Sequence, residues 1–411
     1  MSIQDQEQTP APIQNNDIVT KKQAHRSMPL KVFLLMAVIL AGLIGFGASP
    51  LLHSFAASIT PASPTGFKAT PGNQSVYLSW RAASGATAYE VQTTDLATSA
   101  VRVSAAQAAS SFTAGSLAVG HWYRFRVIPL NGSTTGPASP YLDVRTRGYT
   151  GSNASYFAMG DSYSSGEGAP PYFDAPCGRS TSGFAYRIGV GAPPPTLLAC
   201  AGATTDDVDK VAQGPGGTQF WELMTSGKSV TNALITISIG GNDLGFAPEL
   251  EKCIVSDCTP DQAALSQKIT ALQKRLAQIY LELRNWAPAA DIIVVGYPLL
   301  LADPSQAVCH DSTTRSALSV AEITMIRTLA TQLNTAIQTA AQDTGLFYDA
   351  AYGTFMGHEA CTSNQSNEWI NEITTNDING SFHPNLLGQA AYAQSVNWAR
   401  YLLYVNGQVR Q

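Results

Sequence analysis

Ser162 sits in the stretch Met159-Gly160-Asp161-Ser162-Tyr163-Ser164-Ser165-Gly166-Glu167-Gly168, and two later stretches carry Gly240-Gly241-Asn242-Asp243 and Ser381-Phe382-His383-Pro384-Asn385. In that order they supply a hydroxyl nucleophile, a side-chain amide that can donate to a developing oxyanion, and an imidazole base. Acyl transfer through a covalent serine ester needs these three groups. Taken alone, the Gly-Asp-Ser triplet reads equally well as a turn serine capping the next segment, and Asn242 with Asp243 reads as a turn. Their occurrence together, in one order, is what carries the chemistry.

The surrounding elements bring these residues to one place. The apolar run 156–159 reads as a short buried strand, and the Gly- and Ser-rich residues after it cannot continue it, so Ser162 falls at a strand end. A second apolar run, 233–239, leads into the paired glycines in the same way. Ligand sites of open α/β sheets lie outside the carboxyl ends of the strands, so both stretches point to one crevice. Glycines there let backbone approach a ligand closely. Downstream, Ile269, Leu272, Leu276, Ile279 and Leu283 recur at helical spacing, 291–296 reads as a buried strand, and Ile326, Leu329, Leu333 and Ile337 mark a second helix. A strand at 346–348 follows, and a last helix over about 387–404 comes directly after His383. Strands alternating with helices predict an α/β fold with a doubly wound parallel sheet.

With Gly202 in Leu198-Ala199-Cys200-Ala201-Gly202-Ala203-Thr204-Thr205, these stretches resemble the GDSL or SGNH hydrolases, especially the secreted actinobacterial-type lipases and esterases, over about residues 154–405. The resemblance implies a flavodoxin-like sheet, Ser162 as nucleophile and His383 as general base. It implies an oxyanion hole from the Ser162 and Gly202 N–H groups and the Asn242 amide, and no cofactor. The sequence departs from the family at one point. The usual acid lies three residues before the histidine, where this chain has Gly380. A backbone carbonyl can still accept the Nδ1 hydrogen bond and fix the tautomer, although it stabilises the imidazolium less. The expectation is therefore a Ser-His dyad oriented by the Gly380 carbonyl, with Asp377 as the alternative orienting group. Asp161, Asp243 and Glu167 are expected to brace their loops rather than move protons.

Six cysteines, Cys177, Cys200, Cys253, Cys258, Cys309 and Cys361, all fall in this region, behind a hydrophobic N-terminal segment. An even count in that context predicts disulfides in an oxidising compartment, and of the 15 pairings open to six cysteines the family resemblance selects pairing in sequence order. The histidines at 25, 53, 121, 310 and 358 offer no zinc spacing, so no metal centre is expected. Only 13% of the 411 residues are charged and the net charge is −5, with no basic face that would call for nucleic acid.

Residues 1–31 read as a polar cytoplasmic tail and 32–56 as a transmembrane or signal segment. Lys21, Lys22, Arg26 and Lys31 precede the apolar run and hold the short tail inside, so the bulk of the chain crosses. If uncleaved, that segment would tie the protein to the membrane; otherwise it is secreted. Between 61 and 147 lies a β-rich unit in which Val76, Leu78 and Trp80 share one face and 88–92 and 123–127 alternate likewise. The approach to Tyr123 and the place of Trp80 resemble a fibronectin type III domain. Such a β-sandwich is expected to be a spacer or docking module, with polysaccharide or cell-surface contact as its role, and to be dispensable for chemistry. The sequence thus predicts an extracytoplasmic serine ester hydrolase acting on lipids or other acyl esters. A carbohydrate or acetyl esterase is the alternative, and a surface adhesion protein with an inactive hydrolase fold is the reading from another class.

Overall fold

In the computed structural model the described residues are 59–148, 153, 155–189, 194–214, 216–311, 313–314, 318–373 and 376–411. The apolar segment 32–56 lies outside them, and among the described residues no helix is long and apolar enough to cross a membrane.

Alternation of apolar and polar residues builds the first part of the unit Ala57–Gln411 as a β-sandwich. Its strands are β1 (Thr65–Pro71), β2 (Val76–Arg81), β3 (Ala88–Asp95), β4 (Val101–Val103), β5 (Ser111–Ala114), β6 (Trp122–Asn131), β7 (Thr134–Thr135) and β8 (Leu142–Arg145). One sheet runs β1-β2-β5; the other includes β8-β6-β3-β4, with β7 paired to β6. Val76, Leu78 and Trp80 of β2 point inward, and Trp80 meets Phe67 and Tyr89 edge-on. The Tyr123 hydroxyl accepts from the Ala118 N–H at 2.8 Å, closing the corner where β6 begins. These residues form a hydrophobic core of their own.

The second part is a five-stranded parallel sheet. Its strands are β9 (Tyr156–Gly160), then, after the small hairpin β10 (Tyr172–Asp174) and β11 (Arg179–Ser180), β12 (Thr196–Leu197), β13 (Leu234–Ser238), β14 (Asp291–Val295) and β15 (Phe347–Asp349). The order β12-β9-β13-β14-β15 is the 2-1-3-4-5 order of flavodoxin-like folds. Every residue of β9, β13 and β14 is buried, which explains why they read as continuous apolar runs rather than alternating ones. Helices Gln262–Trp286, Val320–Asp343 and Leu386–Asn406 carry the predicted stripes into the second core. The two-residue β12 was not foreseen, because a strand that short has no period to read.

The sandwich and the parallel sheet have separate cores, yet they are not simply strung together. The last strand, β16 (Gln408–Arg410), follows the final helix and pairs antiparallel with β8, so the end of the chain completes the sandwich sheet. Beside it, Asp291 at the start of β14 accepts from Arg145 Nε at 2.7 Å and from Trp122 Nε1 at 3.2 Å, with Arg145 nitrogen reaching its second oxygen at 3.2 Å. Both members of this ion pair are almost fully buried, and the Arg410 guanidinium stacks 3.5 Å over the Trp122 ring. The expectation of a spacer or docking module did not anticipate this joint, whose parts lie 146 or more positions apart.

Removing one partner of a buried ion pair leaves an uncompensated charge in the interior. Asp291→Asn should therefore lower unfolding free energy by about 3–5 kcal/mol while leaving kcat on a soluble ester unchanged well below the unfolding transition. Urea unfolding alongside ester turnover checks this, and an unchanged urea midpoint would contradict it.

Candidate active site

The local sequence at the end of β9 forces the chain to turn. Gly160 has φ +117°, and a Cβ there would collide with the Ser238 carbonyl of the neighbouring strand, so glycine is required. Asp161 then caps the short helix Ser162–Ser165, accepting from the Tyr163 N–H at 3.1 Å. Ser162 opens that helix, and its Oγ lies 2.8 Å from His383 Nε2. The sequence expectation that these two meet concerns residues 221 positions apart.

The other ring nitrogen of His383 corrects the expected orientation. Nδ1 lies 2.9 Å from the carbonyl of Ser381, not that of Gly380. The Gly380 carbonyl is occupied instead, accepting from Asn371 Nδ2 at 3.0 Å and from the His383 N–H at 3.3 Å. The reason is the turn between them: Phe382 has φ +59°, which swings the Ser381 carbonyl back toward the imidazole. Asp377 makes no hydrogen bond to His383. Its carboxylate accepts from the Tyr172 hydroxyl at 2.7 Å and the Gly380 N–H at 3.3 Å, and reaches the imidazole only through space. Burial holds the His383 imidazole down to about 4, against the opposing pull of the Ser381 carbonyl and the Asp377 charge.

Gly202 and Asn242 line the same cavity as Ser162 and His383. Asn242 donates one amide hydrogen to the Ala203 carbonyl at 2.9 Å, which fixes the orientation of the amide at the end of β13. Gly202 sits in the turn tied down by the Cys177–Cys200 disulfide, with the Ala201 N–H bonded to the Cys177 carbonyl. The other two disulfides join Cys253 to Cys258 and Cys309 to Cys361. Asp243 accepts from the Thr205 N–H at 3.0 Å and from its hydroxyl, linking the Asn242 turn to the Gly202 turn. Asp161 accepts from the Tyr297 hydroxyl at 2.5 Å, and that hydroxyl in turn accepts from the Gly241 N–H at 3.1 Å. Burial pushes Asp161 up to about 7, and the Tyr297 and Tyr163 bonds oppose the shift. Burial does the same to Glu167, also lifted to about 7.

Tyr297, Tyr163, Ser381 and Asn371 were not among the residues picked out by sequence. Tyr297 follows β14 by two positions, so the strand-end rule that located Ser162 and Asn242 contained the signal for it. The Ser381 carbonyl had no such signal, since only the turn at Phe382 selects it. The cavity holds about 430 Å³, and away from Ser162 its wall is mostly apolar, from Phe246, Leu250, Ile254, Leu300 and Leu333, with Glu251 and Asn379 as polar members. Phe246, Leu250 and Ile254 are one stripe of the helix Phe246–Val255. Elsewhere, ligand-type atoms of His310, Glu368 and Glu372 come within 4.8 Å of one another. Glu372 accepts from the His310 N–H at 2.7 Å and Glu368 from the Thr362 N–H at 2.9 Å, so these carboxylates fasten the loops joined by Cys309 and Cys361.

A hydroxyl and an imidazole in contact at the switch point of a parallel sheet, in a cavity also lined by Gly202 and Asn242, are the arrangement expected of an α/β ester hydrolase. The family model of the GDSL-like lipase/acylhydrolases matches residues 158–391, and the chain belongs to that family as a carboxylic ester hydrolase. It is 32% identical over 246 residues to Lipase 1 of Streptomyces coelicolor, covering 57% of this chain and 82% of that protein. It is 31% identical over 247 residues to a lipase of Streptomyces rimosus, with the same coverage. Among solved structures it is similar to phospholipase A1 from Streptomyces albidoflavus (28% identity, TM-score 0.50, 60% of this chain and 100% of that one). It is also similar to the extracellular lipase of S. rimosus (30% identity, TM-score 0.50, 60% and 99%).

Two outcomes are expected. Because Asp377 is not bonded to the imidazole, Asp377→Asn should slow acylation by less than about tenfold, against about 10⁴ where a triad aspartate is lost; single-turnover kinetics would reveal a larger loss. To act as a base His383 must be neutral, and its folded value of about 4 lies below the ordinary 6.5. Activity should therefore persist as pH falls through 6.5, with the acid limb of kcat/KM titrating near 4. An acid limb at the ordinary imidazole value would contradict a desolvated, carbonyl-bonded imidazole as the base.

Proposed function

We propose that the protein is an extracytoplasmic lipase or esterase that works through a Ser162-His383 dyad. The observation that carries this reading is the 2.8 Å contact between Ser162 Oγ and a histidine whose other nitrogen is taken by a main-chain carbonyl. Ser162 attacks the ester carbonyl as His383 Nε2 takes its proton. The carbonyl oxygen, now negative, collects hydrogen bonds from the Ser162 and Gly202 N–H groups and the Asn242 amide. His383 then gives the proton to the departing alkoxide, leaving an acyl-serine and a free alcohol. Water repeats the sequence: His383 takes its proton, the hydroxide adds to the acyl carbon, and collapse returns the proton to Ser162 and frees the acid. The Ser381 carbonyl keeps Nδ1 protonated throughout, so Nε2 is the nitrogen that accepts.

The apolar wall formed by Phe246, Leu250 and Ile254 favours an acyl chain over a sugar as the group seated there, and for that reason lipids or other acyl esters are preferred to acetylated polysaccharide. The relatives named above are lipases and a phospholipase A1, in keeping with that preference. Export is supported by three disulfides and by the extracellular lipase of S. rimosus. The sandwich contributes no residue to the lining of the cavity, which suits a role in docking to a surface.

Ser162→Ala should abolish hydrolysis of nitrophenyl acyl esters and labelling by an organophosphonate without altering the fold, and His383→Ala should do the same. On a panel of acyl esters, triglycerides and acetylated xylan, the wild type should favour acyl chains. Turnover by Ser162→Ala would remove the dyad, and a preference for acetylated xylan would replace the substrate class.

A further inference from the structure

Phe382 occupies the left-handed region at φ +59°, a conformation that bulky side chains avoid and that persists only where neighbours fix it. Three hydrogen bonds do so. The Phe382 N–H donates to the Asn371 carbonyl at 3.0 Å, and the Asn371 N–H donates to the His383 carbonyl at 2.9 Å. The third comes from across the active site: the Tyr163 hydroxyl donates to the Phe382 carbonyl at 2.8 Å. Tyr163 is the residue directly after the nucleophile. Its ring lies 4.9 Å from the His383 ring, centroid to centroid, and meets Tyr297 edge-on at 5.0 Å. On the other side Gly168 leaves room for the loop, since a Cβ there would fall 2.7 Å from His383 Cβ.

We propose that Tyr163 is a positioning residue for the base: its hydroxyl holds the left-handed Phe382 turn that presents the Ser381 carbonyl to Nδ1 and Nε2 to Ser162. The Phe382 peptide lies between the carbonyl that orients the imidazole and the imidazole itself, so rotation of that peptide changes both. Because the hydroxyl hangs from the residue next to Ser162, one contact fixes the base relative to the nucleophile rather than to a distant part of the fold. The role rests on the dyad reading above.

Tyr163→Phe in the full chain keeps the ring and removes only the bond. Its kcat should fall by about ten- to a hundredfold with KM within about twofold, as a displaced catalytic group requires. Organophosphonate labelling should slow in parallel. The acid limb of kcat/KM should move up from near 4 toward 6.5, because a loosened turn admits water to the imidazole. Asparagine tolerates the left-handed region better than phenylalanine, so Tyr163→Phe should cost less kcat in a Phe382→Asn background than in the wild type. The proposal is overturned if Tyr163→Phe keeps the wild-type kcat, if kcat falls with the acid limb unmoved, or if the loss is equal in both backgrounds. Failure of the underlying dyad reading shows separately, as turnover by Ser162→Ala.

Discussion

The contact between Ser162 Oγ and His383 Nε2 joins the first turn after β9 to a loop 221 positions later, and it is useful only while the imidazole is neutral and correctly tautomeric. A carboxylate on Nδ1 would secure the tautomer and stabilise the imidazolium, but it would also raise the pKa of the base. Here a neutral carbonyl, that of Ser381, secures the tautomer without adding charge, and burial keeps the ring deprotonated. Such a base is available over a wide acid range but gains less when it is protonated. In the proposed mechanism, stabilisation of the transition state then rests more heavily on the Ser162, Gly202 and Asn242 donors.

That shift of burden fits how firmly the donors are held. β9 and β13 are the neighbours at which the strand order reverses, and each ends in a turn facing the cavity. Two carboxylates around them, buried Asp161 and half-buried Asp243, serve as ties. Asp161 reaches through Tyr297 to Gly241, and Asp243 reaches Thr205, so the nucleophile, the Asn242 turn and the Gly202 turn are referenced to one another by short polar bonds. Preorganised donors need no reorganisation as charge develops, which is where most catalytic advantage of such a site lies.

The sequence disclosed what depends on local pattern. The continuous apolar runs of β9, β13 and β14, the leucine and isoleucine stripes of the long helices, and the strand-end placement of Ser162 and Asn242 were all legible, because burial and periodicity are written into adjacent residues. The orienting carbonyl was read one residue early. A side chain that must meet a carbonyl two positions before it requires a backbone turn at Phe382 that no propensity of phenylalanine announces, since the turn is imposed by Asn371 and Tyr163 from elsewhere in the chain. The joint between the sandwich and the parallel sheet was illegible for the same reason. Arg145, Trp122 and Asp291 each look like ordinary strand-end residues until the tertiary fold brings them together.

The pairing of β16 with β8 has a consequence for the order of events during synthesis. The sandwich precedes the catalytic region in the sequence, yet one edge of its larger sheet has its hydrogen-bonding partner only in residues 408–410, after that region has been translated. Until then β8 presents an open row of N–H and C=O groups, the kind of edge to which a stray strand can add, and Arg145 waits for Asp291. The sandwich sheet is thus completed only after the catalytic region has been translated, by residues 408–410.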